Sequence, residues 1–202
     1  EVVFNEFLKY GFPVDVVELD TNRIRTGQES SKVTLQRDLS MAISEFAPSS
    51  SIIANKKEWT SFGIKRVPEK ELQKVHYKYC EKHNAFMTWN PGEQEPELPC
   101  KDNGKKFDYI IPQFGFTTSI DPPKNPTGRV EKVFSTRPHF VGILGNDIAS
   151  FLTPKDDPII EITKSIRGKL VVLCEGKKGA GFYICEQCGA GFRERPSVFH
   201  KP

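Results

Sequence analysis

Apolar positions along the chain change period as they go. Val3, Phe4, Phe7 and Leu8 form a short helical stripe that Gly11 and Pro13 end. Val14, Val16, Val17 and Leu19 then read as a strand, and residues 20–36 as a polar loop. In RDLSMAISEF, Leu39, Ala42, Ile43 and Phe46 recur at i, i+3, i+4 and i+7, one apolar helix face with Asp38 near its N-terminus. Beyond Ala47-Pro48-Ser49 the pattern shortens to period two and to brief apolar runs. SIIANKKEWTSFGIKR predicts a hairpin turning at Asn55-Lys56-Lys57. Further predicted strands are LQKVHYKYC, FDYIIPQFGF, RVEKVFST, HFVGIL, PIIEITKS, KLVVLCEG and GFYIC, with the glycine-rich turn GKKGAG between the last two.

Many short strands separated by turn signals predict a mainly β (α+β) fold, an antiparallel barrel or sandwich with a few short helices. Residues 1–36 are expected to be an N-terminal connector, and 37–202 a mainly β domain with zinc-knuckle regions at 80–103 and 182–202. The opening EVVFNEFLKYGFPVDV reads as mid-protein sequence, so the chain is expected to belong to a longer polypeptide.

The chain has 202 residues, enough to bury a core unaided. No apolar run approaches the ~18 residues of a membrane-spanning helix. Five cysteines are too few for a disulfide scaffold and odd in number. With a CxxC present, they favour metal chemistry in a reducing, cytoplasmic setting. Net charge is +3, unevenly spread. Residues 101–202 carry 16 Lys and Arg against 11 Asp and Glu, whereas residues 1–100 carry 13 against 15. A basic second half is compatible with nucleic acid and equally with a solvated surface.

In FYICEQCGAGFR, Cys185 and Cys188 have the spacing that aims both sulfurs at one tetrahedral ion about 2.3 Å away. Gly189 relieves crowding as backbone amides turn toward the thiolates. A redox CxxC would open a helix after a strand, but aromatic β-type sequence surrounds this one, so a structural zinc knuckle is preferred. His200 is the candidate third ligand. A second constellation is KYCEKHNAF…ELPCKDNG. Cys80 and His83 form one pair and Cys100 and Asn103 occupy the next, with 16 residues between, the layout of a zinc ribbon. Asparagine offers a neutral, hard oxygen, a poor zinc partner. The site therefore borrows a ligand elsewhere or is a metal-free turn. The spacing is also compatible with a site joining Cys80 or Cys100 to Cys185 and Cys188. Cys174, inside an apolar run, reads as a buried structural thiol.

GKKGAG has its lysines misplaced for a phosphate loop, and neither HExxH nor GxSxG occurs. His76, His83, His139 and His200 form no recognisable acid–base set, so no catalytic residue is assigned. Candidate nucleic-acid contacts are basic residues interleaved with aromatics: Lys105 and Lys106; Arg129, Lys132 and Arg137; Lys177 and Lys178; Arg193 and Arg195.

The stretches YGFPVDVVEL, RDLSMAISEFAPSSSIIANKKEWTSFGI, FDYIIPQFGF and GFYICEQCGAGF together resemble one family. They are similar to the region after the motor core in large bacterial superfamily 2 DEAD/DEAH-box helicases that carry a mitomycin-repair-factor-type zinc-binding domain. The resemblance spans roughly residues 10–202. It implies a non-catalytic accessory region of an ATP-dependent DNA helicase, acting in DNA repair or antiviral defence. The ATP-binding motor would lie upstream in the same polypeptide. DNA, structural Zn2+ and protein partners are the implied ligands. In the family the positions of Cys80, His83, Cys100 and Asn103 resemble paired cysteines, from which this chain departs. A histidine and a further cysteine follow the pair matching Cys185 and Cys188, and His200 fits the former. A protein-interaction scaffold without DNA contact is the alternative expectation.

Overall fold

The computed structural model describes residues 15–22, 33–100, 104–128, 130, 132–143, 148–152, 161–165 and 168–196. The architecture is mainly β, as expected. The chain divides into two compact units, residues 1–74, 110–136 and 173–202 in the first and 75–109 and 137–172 in the second. The segment read as a connector supplies a sheet strand whose Leu19 is fully buried.

The first unit is built on a five-stranded sheet of order β2-β1-β8-β4-β3. Its strands are β1 (Val16–Asp20), β2 (Gln36–Asp38), β3 (Ser51–Ala54), β4 (Lys57–Ile64) and β8 (Phe116–Thr118). Most pairings are antiparallel, but β1 runs parallel to β8, with Leu19 opposite Phe116. Val17 and Leu19 alternate inward from β1, as the period-two pattern requires. Asn55 and Lys56 both take positive φ, 48° and 59°, the conformation that lets a two-residue turn follow the twist of β3 and β4.

Helix α1 (Leu39–Glu45) has seven residues, too short to persist alone. Its N-cap Asp38 accepts the Ser40 N–H at 2.9 Å. Ala42 and the following Phe46 are fully buried, and Phe46 meets Phe116 edge-on at 5.8 Å. Burying Phe46, Trp59 and Leu19 stabilises the core by about 2 kcal/mol per side chain. Ser61, also buried, donates to the Phe46 carbonyl at 2.8 Å, so the helix exit is fastened to β4 by a satisfied polar group.

Residues 183–192 dock on β4. Strands β13 (Tyr183–Ile184) and β14 (Gly191–Phe192) form a small hairpin. Ala190 bridges Gly63, and the Ile64 N–H donates to the Gly189 carbonyl at 2.9 Å. The approach is backbone against backbone. A Cβ on Gly63 would lie 2.1 Å from the Gly189 oxygen, and one on Gly189 would lie 1.9 Å from the Ile64 oxygen.

The second unit holds a three-stranded sheet of order β6-β5-β7: β5 (Gln73–Cys80), β6 (Ala85–Trp89) and β7 (Lys105–Ile111). It also holds two ribbons, β9 (His139–Ile143) with β12 (Gly168–Val171), and β10 (Ile148–Leu152) with β11 (Glu161–Ser165). One sheet face is aromatic. Tyr77 stacks on Phe86 at 5.2 Å and on Phe107 at 5.4 Å, and Phe86 stacks on His139 at 4.6 Å. His76, Lys78 and Cys80 alternate to the other face, opposite Trp89, Met87 and Ala85.

Several strand predictions change. FDYIIPQFGF is two strands, because Pro112–Gly115 turns the chain between β7 and β8 and Gly115 takes φ 81°. The described residues of RVEKVFST form no strand, and Phe134 is 76% exposed. KLVVLCEG pairs only as far as Val171. AFMTW, β2 and β10 were not predicted. The N-terminal helical stripe lies outside the described residues.

Gly63→Ala is expected to lower stability by about 2 kcal/mol or more, since backbone must move to admit the methyl group. Gly128, with nothing within 4 Å of its would-be Cβ, is the control: Gly128→Ala should leave the urea midpoint almost unchanged.

Candidate metal centre

Cys80 is the last residue of β5 and pairs with Ala85, the first of β6. Glu81–Asn84 make the connecting turn, and Asn84 takes φ 50° to close it. His83 therefore projects from a four-residue hairpin loop whose base is Cys80. The third group arrives from the loop after β6. Asn90 and Glu93 start that loop with a mutual turn, the Asn90 N–H donating to Glu93 at 2.7 Å. Lys78, on the same sheet face as Cys80, pairs with Glu95, and its ammonium holds that exposed carboxyl below its ordinary range. Leu98 is buried, and Gly104 lies so close to β5 that a Cβ would meet the Tyr79 carbonyl at 2.7 Å. An ion pair, an apolar anchor and a glycine contact thus lay the loop against β5 and bring Cys100 to Cys80.

The donor atoms of Cys80, His83 and Cys100 all lie within 4.8 Å of one another. Among the described residues no other group of three or more such donors is this close. Cys80 Sγ and His83 Nδ1 are 3.4 Å apart. An S–N edge of a tetrahedral zinc site spans about 3.5 Å, so this pair already has the separation a shared ion would impose. Two thiols and an imidazole are a soft donor set, and these three residues could hold a metal ion. Cys80 is buried, Cys100 half-buried and His83 exposed. The group contains neither Cys185 nor Cys188, and Asn103 lies outside the described residues.

Cys185–Cys188 form a tight turn. The Cys185 N–H donates to the Ala190 carbonyl and the Gly189 N–H to the Cys185 carbonyl, both at 2.8 Å. Gly189 takes φ 80°. Partial burial pushes the Cys185 thiol up, but the backbone N–H groups of Cys188 and Gln187, with the Cys188 side chain, outweigh it and bring the thiol below its ordinary value. His200, the expected third ligand, lies outside the described residues. Cys174 is half-buried, and burial pushes its thiol up, which suits a structural rather than a nucleophilic role.

The basic candidates have different surroundings. Lys105, Lys106, Lys132, Arg137, Lys177, Lys178 and Arg195 are exposed, and Arg129 lies outside the described residues. Lys106 sits 5.1 Å from the Trp89 ring centroid and 3.5 Å from Glu95. Arg193 is half-buried. Its guanidinium donates to the Pro48 and Ser49 carbonyls at 3.4 and 3.2 Å, satisfying the turn after α1 rather than reaching outward. One pair escaped the sequence reading. His76 Nδ1 meets Asp108 Oδ1 at 2.5 Å, joining β5 to β7. Neither residue falls in a motif, and only the strand register reveals them as neighbours.

No family model matches the chain, and no curated protein or solved structure is significantly similar to it.

Arg193→Ala should cost about 1–2 kcal/mol of stability, because two turn carbonyls lose a charged donor. The urea midpoint reads that loss. In metal-free protein, alkylation of Cys185 by iodoacetamide should reach half its maximal rate at a lower pH than alkylation of Cys174. The Cys185 thiolate forms below, and the Cys174 thiolate above, the ordinary thiol range.

Proposed function

We propose that the chain is a non-catalytic accessory module of an ATP-dependent DNA helicase, and that Zn2+ held by Cys80, His83 and Cys100 stabilises its second unit. The observation that carries the metal part is the convergence of three soft donors at the foot of one β-hairpin. Zinc suits them best among common ions, because sulfur and imidazole donors in a compact structural site are the preferred set of this redox-inert ion. Bound there, the ion would link the β5–β6 turn to the loop carrying Cys100. Its binding free energy would then count toward folding.

The helicase context is supported by the resemblance of RDLSMAISEFAP and IPQFGFTT to the region that follows such motors. A DNA role is supported by an exposed cation beside an exposed aromatic: Lys105 and Phe107 alternate to one face of β7, and Phe107 is 46% exposed. DNA repair and antiviral defence are both compatible with such a module, as is a cytoplasmic location; no described helix is long and apolar enough to cross a membrane. A second reading, a protein-binding scaffold, is favoured by Phe140 and Leu170. They are cross-strand partners on β9 and β12, 57% and 60% exposed.

Elemental analysis of the reduced chain should find zinc, and Cys80→Ser with Cys100→Ser should remove about one ion per chain and about 3 kcal/mol or more of stability. Equal zinc content in parent and variant would exclude this site. Binding to DNA should weaken with salt, and Lys105→Ala with Arg137→Ala should reduce the slope of log K against log[salt] by roughly 2. Absence of binding at low salt would favour the scaffold.

A further inference from the structure

We propose that the Cys80–His83–Cys100 site is an oxidation-sensitive latch: a hydroperoxide joins Cys80 to Cys100 as a disulfide and the metal is released. The inference rests on the metal reading above. Its premise is the composition of the donor set. A site with four sulfurs retains two after one disulfide forms. Here a single S–S bond consumes both sulfur donors of the group and leaves His83 alone, and one imidazole does not hold zinc.

Geometry gives the two thiols different parts. None of the five cysteines is in a disulfide, and the two sulfurs of this group lie within 4.8 Å. An S–S bond is about 2.05 Å, so they need close by less than about 3 Å. Cys100 is half-buried and lies in a turn, so it can meet peroxide and swing. Cys80 is 8% exposed and fixed at the end of β5, so it waits for its partner. The Cys100 thiolate attacks one peroxide oxygen and breaks the O–O bond. The sulfur becomes a sulfenic acid, and the departing hydroxide takes a proton to become water. The Cys80 thiolate then attacks the Cys100 sulfur and expels a second hydroxide, which is protonated in turn. Two thiolates, one hydrogen peroxide and two protons give one disulfide and two waters. The two electrons lost by sulfur are those gained by peroxide.

The competing pair is Cys185 and Cys188, so the test must locate the disulfide. The reduced, zinc-loaded chain is treated with hydrogen peroxide. Released zinc is read with a chromophoric chelator, and cross-linked peptides are mapped by mass. The expected result is loss of about one zinc per chain in step with a Cys80–Cys100 cross-link, reversed by dithiothreitol and added zinc. The latch is overturned if zinc stays bound at full oxidation of Cys100. It is also overturned if zinc leaves with only a Cys185–Cys188 cross-link. A reduced chain that holds no zinc at the group removes the metal reading itself, an outcome seen before any peroxide is added.

Discussion

Strand β4 has more neighbours than most strands can seat, and the first unit depends on how they share it. One edge takes β8 and, farther along, a bridge from Glu58 to Lys124. The other takes β3 along Lys57–Thr60 and then the Cys185–Ala190 turn at Gly63 and Ile64. The second arrangement works only if the turn comes within hydrogen-bonding distance of β4 without a Cβ between. Gly63, Gly189 and Gly191 supply that clearance, Gly191 against the Pro48 ring. The same closeness places Arg193 on the turn carbonyls of Pro48 and Ser49. A residue that looked like a phosphate contact is consumed in holding the β13–β14 hairpin to the exit of α1.

What the sequence made legible follows from the range of each interaction. The α1 face, the Asp38 cap and the β3–β4 turn are local, and all three were readable from residues within one or two turns of chain. The parallel pairing of β1 with β8 joins positions almost a hundred residues apart, and no local pattern encodes it. Pro112 and Gly115 were visible punctuation inside FDYIIPQFGF, yet the apolar content on both sides masked the break. AFMTW carried a strand composition, but it follows so closely on the β5 turn that its own period was too short to stand out. The two-unit division could not be read at all, because each unit is assembled from separated segments.

Among the described residues, three donors meet at the weaker of the two cysteine signals. CxxC with a following glycine is the stronger sequence signal, and its residues form a tight turn. Its two sulfurs nevertheless gather no third donor among the described residues. The weaker signal, degraded at His83 and at Asn103, is where three donors meet. Spacing alone ranks motifs by how many ligands the chain displays, whereas geometry counts how many the surrounding contacts bring together. Here the contacts are Lys78 with Glu95, the burial of Leu98 and the clearance at Gly104, none of which belongs to a metal motif.

The second unit also explains why a metal would sit there. It comprises about seventy residues, a size at which a hydrophobic core alone leaves little stability to spare. Its sheet buries one aromatic face around Tyr77 and Phe86, while the opposite face carries His76, Lys78 and Cys80. That polar face is held by Asp108 on His76, Glu95 on Lys78 and the three donors at Cys80. The first is a hydrogen bond and the second an ion pair, both between partly exposed groups, which contribute little in water. An ion bound to two sulfurs and an imidazole would add to the apolar burial that Trp89 and Leu98 supply there. Folding of the unit would then be linked to metal occupancy, and a reaction that removes both sulfurs would act on the fold itself rather than on its surface alone.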